Sequence, residues 1–121
     1  MSATLLARRI AVLIERTRVD VSTEAAAHRE IAAAIEADGM DVEREVRLGA
    51  GERVDVLVGG VIAVEVKVQG SRRDIHRQLE RYARSDRVEG IVLATGAAWP
   101  ATMRRVGGKP FFFASLSRGW L

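Results

Sequence analysis

The sequence predicts an α/β domain built around a mixed β-sheet, and three observations predict it. Two segments with apolar residues at helical spacing open the chain. Three short segments alternating between apolar and polar residues follow, separated by glycines. A further helix-period segment then precedes a β-branched run near residue 90, which is the order of a strand–helix–strand unit. The expected element order is α-α-β-β-β-α-β-α-β. At 121 residues the chain has the size of one domain and can bury a core.

Over residues 3–17, Leu5, Leu6, Ile10, Leu13 and Ile14 recur at helical spacing, with Arg8, Arg9 and Arg16 mostly on the other side. A second helix is expected from Thr23 to Asp38, capped by Ser22 or Thr23 and ended by Gly39. Its inner stripe is Ala27, Ile31, Ala34 and Ile35. Glu24 and His28 lie on or beside that stripe, and Glu30 points roughly the opposite way.

Three strands follow. Val42–Leu48 sets Val42, Val46 and Leu48 against Glu43, Glu45 and Arg47. Arg53–Val58 sets Val54, Val56 and Val58 against Arg53, Asp55 and Leu57. Val61–Val68 sets Ile62, Val64, Val66 and Val68 against Val61, Ala63, Glu65 and Lys67. Gly59-Gly60 marks the turn between the last two. Ser71, with Asp74 three residues on, starts a helix that runs to about Ser85, with Ile75, Leu79 and Tyr82 inside. Val88–Thr95 is a buried strand, Trp99–Val106 a short helix, and Lys109–Leu116 a last strand. The chain thus divides into an N-terminal helix (1–18), a central core (22–95) and a C-terminal helix and strand extension (96–121).

Composition excludes several classes. Apolar residues are 48% and charged residues 29%, a globular balance. No apolar run approaches the roughly 20 residues that span a bilayer. The opening stretch carries two arginines within its apolar run and no small-residue cleavage site, so it is an amphipathic helix rather than a signal peptide. The absence of cysteine excludes disulfides, zinc-thiolate sites and iron–sulfur clusters, and suits a cytoplasmic protein. The net charge is +3 and the pI about 10.2. Seventeen of the nineteen basic residues are arginine. That skew follows base composition more readily than function, but it singles out Lys67 and Lys109, because only lysine has a pKa that its surroundings readily lower.

The chemistry concentrates between Arg53 and Tyr82. Glu65 and Lys67 stand two apart on one strand, so their side chains point the same way. Asp55, on the preceding strand, also faces away from its strand's valines. Two acids and one base meeting in a small sheet suit a hard divalent cation, magnesium or manganese, which takes oxygen ligands and binds substrate phosphates. Such an ion lowers the pKa of a bound water, and a nearby lysine can orient that water or neutralise charge on phosphorus. Register constrains this reading. A two-residue Gly59-Gly60 turn pairs Asp55 with Val64 and puts the two acids on opposite faces. A turn one residue longer, Gly59–Val61, pairs Asp55 with Glu65 and is the one expected. Set against this is an ordinary wet sheet face with exposed ion pairs.

Asp55, followed by Glu65-Val66-Lys67 at the end of an apolar strand and by a helix carrying Gln78-Leu79-Glu80-Arg81-Tyr82, resembles the PD-(D/E)XK nuclease superfamily. The last motif is similar to the QhxxY of its RecB-like branch. The resemblance covers residues 24–95 and implies a restriction-endonuclease-like α-β-β-β-α-β core. It implies Mg²⁺ or Mn²⁺ ligated by Asp55, Glu65 and the Val66 carbonyl, with Lys67 as the catalytic lysine. Gln78 and Tyr82 would then hold the site's shape or contact DNA. The family's first-helix residue falls at His28, with Glu24 as substitute. Two features depart from the pattern: Val54 stands where a proline often precedes the acid, and the iron–sulfur cysteines of some relatives are missing.

Arg72, Arg73, Arg77, Arg81 and Arg84, with Arg87 beyond, decorate the third helix as a phosphate-tracking surface would. They equally suit a solvated helix. Aromatics are 5% of residues, too few to suggest base stacking, so backbone or structure recognition of DNA is expected rather than sequence readout. His76 reads as surface. The expected activity is metal-dependent hydrolysis of DNA phosphodiester bonds. Two alternatives stay open: a dimeric, junction-type resolvase pairing through the first helix or the Phe111–Phe113 strand, and a nuclease-fold DNA-binding or assembly module without chemistry. Phage, repair and defence settings each fit.

Overall fold

The computed structural model describes residues 2–49 and 51–116. The outermost parts of the expected N-terminal helix segment and C-terminal extension, Met1 and 117–121, lie outside the described residues.

Helix α1 (Ala3–Arg16) starts at Ser2, whose hydroxyl accepts the Leu5 N–H at 3.1 Å. It buries Ala7, Ile10, Ala11 and Ile14, while Leu5 is 54% exposed. The expected stripe is thus corrected. At roughly 100° per residue, Leu5 points about 200° away from Ala7, and the small alanines let the helix lie close on the sheet. Helix α2 (Glu24–Ala37) is capped by Thr23, which accepts the Ala26 N–H at 3.0 Å. It ends beside Gly39, whose φ of 89° suits a left-handed helix stop. Its buried face is Ala26, Ala27, His28, Ile31, Ala32 and Ile35, with Ala34 only half-buried.

Strands β1 (Val42–Gly49), β2 (Glu52–Val58) and β3 (Ile62–Lys67) form an antiparallel meander. Val58 pairs with Ile62 and Val56 with Val64, so the connecting turn is Gly59-Gly60-Val61, the longer one. Continued by one residue, this register sets Asp55 across from Glu65. Ser71 caps helix α3 (Arg72–Ala83) by accepting the Asp74 N–H at 3.1 Å. The helix crosses back to β4 (Gly90–Thr95), parallel to β3.

No helix forms over 99–106. A single turn closes from the Met103 N–H to the Pro100 carbonyl at 3.2 Å, and Arg105–Val106 is strand β5. The cause is Gly107-Gly108, at φ 53° and 79°, which makes a two-residue hairpin turn and pairs Val106 with Lys109. A side chain at Gly107 would also meet the Ala83 Cβ at 2.7 Å. Strand β6 (Lys109–Ser115) then lies parallel to β4, giving a six-stranded mixed sheet of order β1-β2-β3-β4-β6-β5. The described residues thus form a mixed α/β fold.

Two buried clusters sandwich the sheet. On one face, α1 and α2 pack on Val56, Val58, Ile62, Val64, Val66 and Val92. On the other, Ile75, Leu79 and Tyr82 of α3 pack with Leu57, Ala63, Ile91, Leu93 and Phe111. Val54, expected beside Val56 and Val58, belongs to the α3 cluster instead. The alternation of β2 therefore breaks next to Asp55. Across from Asp55, Glu45 takes a φ of 55°, left-handed for a non-glycine residue, so the kink involves both strands. None of the described helices is long and apolar enough to cross a membrane.

Candidate functional site

The alternation of β3 sends Glu65 to the face of α3, where it is buried to 3% exposure. Burial of a carboxylate needs hydrogen-bonding or charged partners. The Tyr82 hydroxyl donates to Glu65 Oε1 at 2.7 Å, and the Lys67 ammonium stands 3.7 Å from Oε2. Desolvation raises the Glu65 pKa above the ordinary glutamate value. Tyr82 and Lys67 oppose that shift, and the negative charge of Asp55 adds to it. The Tyr82 phenol is itself pushed far above its ordinary pKa, by burial first and by the Glu65 charge second. Tyr82 is therefore a neutral donor at any working pH.

Lys67 links the two faces of the sheet. Its Nζ also lies 3.6 Å from Glu24 Oε2, in the first turn of α2. Glu24 Oε1 accepts the Val68 N–H at 3.2 Å, and His28 Nε2 lies 3.1 Å from the Val66 carbonyl. Those are the backbone groups that β2 would take if it continued alongside β3, whose pairing with β2 reaches only Val64. Side chains of α2 supply the partners instead. Asp55 completes the group, with Oδ2 3.5 Å from His28 Nδ1 and Oδ1 3.7 Å from the Arg53 guanidinium.

The structure thus brings Glu24, His28, Asp55, Glu65 and Lys67 together where β2 and β3 part. It does so differently from a shared sheet face. Asp55 reaches the α2 side, Glu65 engages α3, and Lys67 lies between them. Glu24, expected only as a substitute, contacts both Lys67 and the end of β3.

Gln78 touches this group only through Tyr82, whose hydroxyl it hydrogen-bonds. Its amide donates to Glu52 Oε1 at 3.2 Å and its carbonyl accepts from Arg81, whose Nε lies 3.3 Å from Glu52 Oε2. Sequence reasoning missed Glu52, because its partners lie 26 and 29 positions further along the chain. Arg81 is correspondingly committed to an ion pair, whereas Arg72, Arg73, Arg77 and Arg84 are exposed. Arg87 donates to the Arg47 carbonyl at 3.1 Å. The second lysine, Lys109, donates to the carbonyls of Ser85 and Val88 at 3.3 and 2.5 Å, closing the turn between α3 and β4. Its role is structural.

The donors fit a hard divalent cation in kind: the carboxylates of Asp55, Glu65 and Glu24 and the Val66 carbonyl are oxygen ligands. As the side chains stand, however, no three described His, Asp or Glu side chains converge on one metal-sized point. Tyr82 and Lys67 satisfy the Glu65 oxygens, and His28 occupies the Val66 carbonyl. Ligation would require these contacts to rearrange. No family model matches the chain, and no match is found among curated proteins or solved structures.

Proposed function

We propose that this chain belongs to the class of PD-(D/E)XK-type nuclease domains. Its particular activity is hydrolysis of DNA phosphodiester bonds with Mg²⁺ or Mn²⁺, without strong base specificity. One observation carries the reading: Lys67 lies between the carboxylates of Glu65 and Glu24 where β2 and β3 separate, with Asp55 on the neighbouring strand. A lysine held between acids beside an opening in the sheet supports a phosphate-directed role.

A divalent ion held by Asp55, Glu65 and the Val66 carbonyl, with Glu24 or His28 completing the shell, would supply Lewis-acid stabilisation of a phosphoryl oxygen. The remaining work falls to the chain. The Lys67 ammonium orients the attacking water and offsets negative charge building on phosphorus. Hydrolysis joins the water oxygen to phosphorus, the water's proton passing to solvent, and releases an ester oxygen, which takes up a proton from solvent. Tyr82 fixes the Glu65 carboxylate, and Gln78 holds Glu52 and Arg81 at the flank. Arg72, Arg73, Arg77 and Arg84 offer contacts to the DNA backbone.

Wild type and Lys67→Ala, incubated with linear, single-stranded and four-way-junction DNA plus Mn²⁺, test this directly. Equal activity in both proteins would falsify it. The lack of three converged ligand side chains favours a second reading, a DNA-binding module without chemistry. Calorimetric titration with Mn²⁺ separates the two. Exposed Leu5 and Val12 on α1 keep a dimeric resolvase in view, which gel filtration and junction cleavage address.

A further inference from the structure

A cavity of about 600 Å³ lies between the first turns of α3 and the loop after β4, lined by Arg72, Arg73, His76, Trp99 and Met103. Both of its walls leave the sheet from one place. Lys67 and Thr95 are paired at the ends of β3 and β4; α3 begins five residues after Lys67, and Trp99 follows Thr95 by four. The cavity therefore opens at the same end of the sheet as the lysine. Its floor is built of rings held against one another, with Trp99 itself buried to 8% exposure. Phe111 supports Trp99 from within, at 6.3 Å between ring centroids, and the Trp99 indole N–H is spent on the Met103 sulfur at 3.3 Å. His76 faces Trp99 at 6.5 Å with the planes 34° apart, and its side chain is 36% exposed, so its ring is the accessible surface.

The rim has the opposite chemistry. Arg72 and Arg73 are exposed, and their side chains make no ion pair or hydrogen bond among the described residues. Cations in the first turn of a helix oppose its dipole, so helix stability does not account for two of them there. A floor of Trp99, Met103 and the exposed His76 ring, whose Nδ1 lies 3.6 Å from Glu80 Oε1, under unpaired guanidinium groups is complementary to a base with its phosphate. A base inside a duplex cannot enter, because its faces are covered by its neighbours. An unpaired base can stack, and the flanking phosphate then meets the arginines.

We infer that this cavity binds an unpaired nucleotide, which directs the protein to single-stranded or branched nucleic acid rather than to continuous duplex. The inference rests on the nuclease reading only for its link to cleavage. Binding stands on its own.

The test is metal-free binding of a single-stranded oligothymidine and of a blunt duplex of equal length. Trp99 emission is followed in a Trp120→Phe background, where it is the sole tryptophan. The expected result is quenching by the single strand, little by the duplex, and a roughly five- to tenfold loss of single-strand affinity in His76→Ala. Arg72→Glu with Arg73→Glu should weaken binding further and flatten its salt dependence. Circular dichroism checks that these surface variants fold. Oligonucleotide binding that leaves Trp99 emission unchanged, equal affinity for duplex, indifference to His76→Ala, or no binding at all would each overturn the inference. Quenching without any Mn²⁺-dependent cleavage would instead sink the hydrolytic reading and leave the cavity standing.

Discussion

Tyr82 donates its phenolic proton to Glu65 Oε1 at 2.7 Å, joining the last turns of α3 to the buried end of β3. The bond has one polarity only, since burial keeps the phenol protonated. Tyr82→Phe removes the donor and leaves a buried carboxylate oxygen unsatisfied. The expected cost is about 1.5–3 kcal/mol, the usual range for a hydrogen bond to a charged group. Urea denaturation measures it. In a Glu65→Gln background the cost should fall, because the acceptor is then neutral.

Glu65 contributes to the pH dependence of stability. Its folded pKa is raised, chiefly by desolvation, so the folded state holds that proton more tightly than the unfolded chain does. Its contribution is fully present below the unfolded glutamate pKa and is lost as pH rises through the folded value. Glu65→Gln should therefore raise the melting temperature near neutral pH, by on the order of a few degrees. The gain should vanish toward pH 4. Melting curves in EDTA across that range check it, and an unchanged difference at both ends would contradict the assignment.

Lys67→Ala should lower cleavage by about 100-fold or more, the scale seen when a charge-stabilising group is removed. Mn²⁺ affinity should hold or rise, because the substitution frees carboxylate oxygens of Glu24 and Glu65. Calorimetry and a gel assay read the two effects separately.

Lys109→Met should behave in the opposite way. It strips a donor from the Ser85 and Val88 carbonyls and should cost about 1–2 kcal/mol of stability. Cleavage per folded molecule should not change. The two lysines are thereby separated into a functional one and a structural one.

Asp55→Asn leaves the shape of the side chain but removes its charge. Through the loss of that charge it should lower Glu65's folded pKa and abolish Mn²⁺ binding. A calorimetric isotherm matching the wild type would rule Asp55 out as a ligand.

What the sequence by itself determined is periodic and local. Period-two runs, Gly59-Gly60, the Ser71 cap and the Ile75–Leu79–Tyr82 stripe specify the strands, the site of the turn and α3, because each depends on residues within one or two turns of one another; the length of the turn followed only from the need to bring Asp55 opposite Glu65. The Glu65-Val66-Lys67 spacing likewise places acid and lysine on one strand face. Tertiary structure decided what depends on where segments diverge. Gly107-Gly108 chose a hairpin over a helix at 105–106, because strand pairing with β6 was available. The kink shared by Glu45 and Asp55 broke the alternation of β2 and carried Asp55 to the side of α2. Glu24 and His28 entered the group because β2 leaves the Val66 and Val68 backbone groups unpaired. Glu52 and the His76–Trp99 pair came from residues 23 or more positions apart. No local pattern encodes such meetings, since contact between distant side chains follows from how the sheet and helices pack.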